Sequence, residues 1–158
     1  MTILPEFEVY IPESVQEALA FLSENQGRAK IVAGGTDLLP SLKQRLFEPQ
    51  YLIDIKPLAE LHGIRVVDNG DISIGALTTI TEIATDRLIT TELPVLQQAA
   101  LTVAGPSLRN VGTIGGNVCL DTRCYWYNQS YFWRASCGFC IKKDGSICHA
   151  DFAHSLME

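Results

Sequence analysis

Ile31-Val32-Ala33-Gly34-Gly35-Thr36-Asp37-Leu38 decides how the first third of the chain folds. Lys30 to Ala33 reads as a buried strand, rich in β-branched and small apolar residues. It breaks at two glycines, which lack a Cβ and so admit a tight turn. After the turn, Leu38, Leu39, Leu42 and Leu46 recur at helical spacing. Outward from this stretch, Phe7, Val9 and Ile11 alternate with polar neighbours and predict a strand. Ser14-Val15-Gln16-Glu17 matches a capping box, in which a hydroxyl and a carboxylate satisfy free N–H groups at a helix start. Val15, Ala18, Leu19 and Leu22 then predict a helix with one buried face, and Gly27 is placed to end it. Tyr51 to Ile55 predicts a third strand. The order strand, helix, strand, turn, helix, strand is that of a small parallel sheet.

The texture changes near Pro57. Ile64 to Val67 and Ile72 to Ile74 flank Asp68-Asn69-Gly70-Asp71, a hairpin signal because Asn-Gly tolerates positive φ. Two helices are predicted beyond it, near Ile80–Arg87 and Pro94–Val103. The expected fold class is α+β. A parallel βαβ subdomain spans 1–56, an antiparallel-sheet subdomain spans 57–118, and a Cys-rich segment spans 119–158.

Composition narrows the function. Apolar residues make up 47% of the chain, which suits a globular protein. The net charge of −6 argues against a nucleic-acid partner. No apolar run is long enough for a membrane span, and nothing from Met1 reads as a signal peptide. A cytoplasmic location is expected, where thiols stay reduced and metal ligation is favoured over disulfides.

Two glycine turns carry candidate chemistry. At Gly34-Gly35-Thr36 the backbone can approach a phosphate and aim N–H groups at it, with the Thr36 hydroxyl as a further donor. Taken alone, such a turn is more often just a turn. It is neither a Walker loop nor a Rossmann fingerprint. Asn110-Val111-Gly112-Thr113-Ile114-Gly115-Gly116-Asn117 is the second, with a β-bulge or corner as its plain structural reading. Two such turns in one short chain favour a large diphosphate cofactor. The segment from Asn117 to His154 follows directly and holds all five cysteines. Clustered thiols of this kind point to a metal.

Ile31–Leu38 together with Thr113–Asn117 resembles the FAD-binding subunit of the xanthine dehydrogenase family of molybdenum hydroxylases. Gly75-Ala76-Leu77-Thr78-Thr79 looks like the same family's G-A-x-T-T segment. Asn117–Cys124 and Cys140–Cys148 are similar to one branch, the 4-hydroxybenzoyl-CoA reductase β subunits, which carry an inserted loop with a [4Fe–4S] cluster. The resemblance implies FAD contacts at Ile31, Val32, Ala33, Gly34, Gly35, Thr36, Asp37 and Leu38, and at Thr113, Ile114, Gly115, Gly116 and Asn117, with Val103 and Asp121 as further positions. It implies Cys124, Cys140 and Cys148 as cluster ligands. The family's fourth cysteine is replaced by Met157, and Cys137 or Cys119 is the substitute on offer. No catalytic residue is expected. The implied partners are a molybdopterin-binding large subunit, a [2Fe–2S] small subunit and an external electron donor such as ferredoxin. Similar subunits continue for roughly as many residues again, so the chain reads as truncated or as half of a split gene.

Two other readings compete. Cys137, Cys140, Cys148 and His154 offer the donors of a Cys₃His zinc site. A fragment that keeps the fold but binds no cofactor is the other. Tyr125, Trp126, Tyr127, Tyr131, Phe132 and Trp133 read as a small core for the Cys-rich segment, or as a shield or partner face. His62 reads as a surface residue.

Overall fold

The computed structural model describes residues 3–121 and 123–151. The first part of the chain runs β1 (Glu8–Tyr10), α1 (Val15–Glu24), β2 (Ala29–Val32), α2 (Leu38–Lys43) and β3 (Tyr51–Asp54). By compactness the chain divides into two units. The larger comprises Phe7–Thr36 and Pro49–Leu120; the smaller comprises the described residues up to Glu6, Asp37–Glu48 and the described residues from Asp121 on.

In the larger unit β1, β3 and β2 form a parallel sheet with β3 central, in the register Val9↔Leu52 and Ile31↔Ile53. Helix α1 lies on one face. Ala18 packs with Ala29, Ile53 and Leu58, flanked by Val15, Phe21 and Leu22. Phe21 stacks on Tyr10 with ring centroids 3.9 Å apart. Leu19, expected on this face, is instead 59% exposed. The apolar stripe passes through Phe21, since the bulkier ring reaches the sheet and Leu19 lies off that line. Only half of the expected capping box forms at Ser14. Its Oγ accepts from Glu17 N at 3.2 Å, while the Glu17 carboxylate accepts from Glu13 N at 2.8 Å and from the Tyr10 hydroxyl. The helix is capped by Asn25, whose N–H bonds Phe21 O; Gly27, at φ +78°, sits in the turn beyond.

The predicted hairpin is present as β4 (Ile64–Val66) and β5 (Ile72–Ile74), antiparallel, with Gly70 at φ +86°. Asn69 Oδ1 accepts from Asp71 N at 3.0 Å, so the side chain closes the turn. Three helices follow where two were expected: α3 (Ile80–Thr85), α4 (Arg87–Glu92) and α5 (Pro94–Thr102). The break falls at Asp86, whose backbone is extended and whose carboxylate accepts from Ile89 N at 3.0 Å. An aspartate that caps the next helix better than it continues the last one ends α3. Ile80, Ile83, Ala84, Ile89 and Ala100 make the core here, with Ile64, Ile72 and Ile74 of the hairpin packed against it. Two short helices close the unit, α6 (Pro106–Arg109) and α7 (Ile114–Val118).

The smaller unit holds α2 and α8 (Tyr131–Ser136). Its core is Leu46, Tyr127 and Cys140, with Phe47 and Cys124 beside them. The helix predicted to reach Leu46 ends at Lys43. Arg45 adopts φ +58°, and this left-handed residue turns Leu46 into the core.

The complete capping box lies at Thr79, ahead of α3. Glu82 N donates to Thr79 Oγ1 at 3.2 Å, and Thr79 N donates to Glu82 Oε2 at 2.6 Å. These Thr79 bonds, backbone first, hold the Glu82 carboxyl below its ordinary range. A lowered folded value means the contribution is whole above the unfolded pKa and is lost as pH falls through the folded one. Thr79→Ala is expected to cost about 1 kcal/mol at neutral pH. The gap between parent and variant should narrow once pH drops below about 4, which urea denaturation at neutral and acid pH measures.

Candidate functional site

Within the larger unit the two glycine turns touch. A Cβ on Gly34 would lie 2.1 Å from Val111 O and 3.1 Å from Gly112 Cα. The Thr36 hydroxyl oxygen approaches to 3.4 Å of where a Cβ on Gly112 would stand. Gly34 is thus required by backbone packing. Gly35 is required by conformation, at φ +69°. The segment Ala33–Thr36 is half-buried. Among the described residues, the N–H groups of Gly34, Gly35 and Thr36 find no acceptor. Half-buried donors without partners are uncommon in folded proteins and fit an anionic oxygen supplied from outside, such as a diphosphate.

The second turn is built differently. Thr113 is buried and caps α7, its Oγ1 accepting from Gly116 N at 3.3 Å. Gly112 N donates to Leu108 O at 2.7 Å, Ile114 N to Thr78 O at 2.9 Å, Gly115 N to Ala76 O at 2.9 Å and Asn117 N to Thr113 O at 2.9 Å. Its main-chain donors are therefore used inside the protein, and exposed Gly116 and Asn117 are what it presents to solvent. It is a helix start, where the sequence allowed a bulge or corner.

The Gly75–Thr79 segment explains why the turn sits there. Gly75 N donates to Gly63 O and Leu77 N to Leu61 O, both at 2.8 Å, while Ala76 O and Thr78 O receive the bonds from Gly115 and Ile114. A Cβ on Gly75 would lie 2.3 Å from Leu61 O, and one on Gly115 would lie 2.8 Å from Ala76 O. Val103 caps α5, and its carbonyl joins those of Leu101 and Ala104 around Arg109 Nη1, at 3.0, 3.1 and 2.9 Å. Arg109 thereby holds Ala104 at φ +43°. Sequence inspection gave Arg109 no role, because a cation serving carbonyls from its own neighbourhood leaves no motif.

The remaining candidate positions, Asp37, Leu38 and Asp121, belong to the smaller unit. Asp37 is ion-paired with Arg123, and Asp121 with Lys142 at 2.7 Å. Lys142 also lies over the Tyr127 ring, 4.5 Å from its centroid. Burial, then the Asp121 charge, raises the Tyr127 pKa. Neither Arg123 nor Lys142 was singled out from sequence. Both are ordinary cations until the fold sets them against carboxylates.

The cysteines are dispersed in environment. Cys140 is 6% exposed and packs with Leu46 and Tyr127; Cys124 and Cys137 are half-buried; Cys148 and Cys119 are exposed. Among the described residues, no three His, Cys, Asp or Glu side chains assemble as a metal-holding group. The expected convergence of Cys124, Cys140 and Cys148 on a cluster is absent from this arrangement, so the residues as placed do not fit a [4Fe–4S] group. Cys140 acts here as a small apolar side chain. His154, the fourth donor of the zinc reading, and Met157 lie outside the described residues. The aromatic segment is only partly a core. Trp126 stacks on His149 at 5.0 Å and contacts Tyr125 and Trp133, but Phe132 is 84% exposed. Tyr127 is the ring that enters the interior. His62, as expected, is exposed, its Nε2 3.0 Å from Lys56 O. No helix among the described residues is long and apolar enough to cross a membrane.

A parallel sheet, a hairpin with helices and two touching glycine turns define a flavin-binding class of domain, and comparison agrees. Residues 5–153 match the family described as the FAD binding domain in molybdopterin dehydrogenase, and the chain belongs to that family. It is 42% identical over 116 residues to the carbon monoxide dehydrogenase medium chain of Hydrogenophaga pseudoflava, covering 73% of this chain and 40% of that one. It is 41% identical over 116 residues to the nicotinate dehydrogenase FAD-subunit of Eubacterium barkeri, covering 73% and 39%. Among solved structures it resembles the carbon monoxide dehydrogenase of H. pseudoflava with a TM-score of 0.71 at 42% identity, over 73% of this chain and 40% of that chain. Quinoline 2-oxidoreductase from Pseudomonas putida 86 is matched with a TM-score of 0.68 at 36% identity, over 72% and 39%. The chain thus spans about 40% of the length of these relatives.

Gly34→Ala is expected to cost about 3 kcal/mol or more, because its methyl would overlap backbone rather than a yielding side chain. A thermal melt beside that of the parent reads the effect.

Proposed function

We propose that this chain is an FAD-binding electron-transfer subunit of a molybdenum-containing oxidoreductase. The observation that carries the reading is the set of unpartnered N–H donors at Gly34–Thr36, held against the Val111–Gly112 backbone. In this reading residues 1–56 and 57–118 are the two FAD-binding subdomains. Ile31 to Leu38 receives the diphosphate, Thr113 to Asn117 and Val103 shape the flavin side, and Asp121 adds a polar contact. Bound FAD would supply electron transfer in one- or two-electron steps, and the protein's part is to bind and orient it. This chain's residues donate hydrogen bonds to the anion, exclude water by close backbone packing and hold the loop conformations with Gly35 and Arg109.

The finer reading assigns partners. A molybdopterin-binding large subunit and a [2Fe–2S] small subunit would complete the enzyme, as the medium-chain names of the relatives suggest. The Cys-rich segment, 119–158, aligns the chain with the 4-hydroxybenzoyl-CoA reductase branch, a cytoplasmic aromatic acyl-CoA dehydroxylating type with a ferredoxin-class donor. Sequence spacing alone supports that branch. A cluster would require Cys124, Cys140 and Cys148 to leave their present places and a fourth ligand, Cys137 being the nearest in sequence.

The test is to purify the full chain anaerobically and assay flavin, iron, sulfide and zinc against protein. About one FAD per chain, released on denaturation, is the expected result. Protein that stays flavin-free in excess FAD would sink the proposal. Iron with acid-labile sulfide would add the cluster, zinc without sulfide would replace it, and flavin alone would remove the acyl-CoA reductase branch.

A further inference from the structure

Helix α2 has six residues, too few to persist on its own propensity. Side chains from the Cys-rich segment of the same unit hold both its ends. At the start, Asp37 occupies the N-cap position, yet its side chain makes no capping bond and pairs with Arg123 instead. At the end, Arg134 is 1% exposed. Its Nη1 donates to Gln44 O and its Nη2 to Arg45 O, each at 3.2 Å, and Nη1 also donates to Gln129 O at 2.6 Å. Gln44 and Arg45 close the helix, where a cation also opposes the negative end of the helix dipole. Among the described residues Arg134 makes no ion pair, and its Nε lacks a hydrogen-bond partner. A buried guanidinium served only by carbonyls is costly to place. What the position gives is a fixed end for α2, with Leu46 seated next to it beside Tyr127 and Cys140.

The chain enters α2 straight from the first glycine turn. Asp37 is the residue after Thr36, so its carboxylate follows the free donors directly in sequence. An uncompensated negative charge there would oppose an anionic ligand. Arg123 offsets it.

We propose that Arg123 and Arg134 are positioning residues for FAD. Arg123 neutralises and fixes Asp37, and Arg134 fixes the far end of α2. The Cys-rich segment would then serve flavin binding through two arginines, with no metal required. The inference rests on the FAD reading above.

The experiment measures the dissociation constant of FAD for the full chain by flavin fluorescence, alongside thermal melts. Arg123→Gln is expected to weaken binding about fivefold, the range of a partly exposed ion pair. Arg123→Asp should weaken it further, and Arg123→Lys should stay within about twofold of the parent, with all three melting as the parent does. The loss in Arg123→Gln should shrink at high salt, since the pair is partly exposed. Arg134→Lys, which cannot reach three carbonyls at once, should weaken FAD binding and lower the melting temperature together. Equal affinity for parent, Arg123→Gln and Arg123→Asp overturns the proposal while leaving the FAD reading intact. A parent chain that binds no FAD overturns both.

Discussion

The contact of Gly34 with the Val111–Gly112 backbone is the constraint on which the larger unit turns. Two loops far apart in sequence meet with no side chain between them. Everything around the contact holds the partners in place. The second turn is anchored by hydrogen bonds to the Gly75–Thr79 segment, which is itself anchored to Leu61 and Gly63. Thr78 joins this lattice through its hydroxyl, bonded to Gly63 O at 3.2 Å. Glycine at positions 34, 75 and 115 answers one physical demand, the approach of backbone to backbone closer than any Cβ permits.

That division of labour separates the two turns, which look alike in sequence. The second spends its N–H groups on the scaffold. The first, relieved of structural bonding, keeps its donors free and half-buried. A site of this kind is preorganised, because the energetic penalty of leaving donors unpaired is met by folding rather than by the ligand. Family membership agrees with this arrangement, since the matched stretch takes in both turns.

The smaller unit follows another logic. Its core is small, and much of its order comes from cations placed against carbonyls and carboxylates: Arg134 on the end of α2, Arg123 on Asp37, Lys142 on Asp121. Cys140 contributes to that core as an apolar group, and the other cysteines of the unit lie at graded exposures around it. Thiols clustered in sequence are therefore not clustered in space as a metal site among the described residues.

The strands and their parallel order, the Asn69–Gly70 hairpin and the glycine turns were legible in the sequence, because strand periodicity and glycine conformations are local properties. So was the family, through motifs that sample both turns. Helix boundaries were less so: Asp86 divides one predicted helix by capping the next, and Arg45 ends α2 ahead of Leu46. Leu19 was assigned to the wrong face because spacing alone does not say which apolar side chain is long enough to reach the sheet. Which glycine turn keeps free donors, and which arginines anchor the helix beyond, was decided only by tertiary structure. Hydrogen-bond satisfaction depends on partners tens of residues away, and no local pattern in the chain records them.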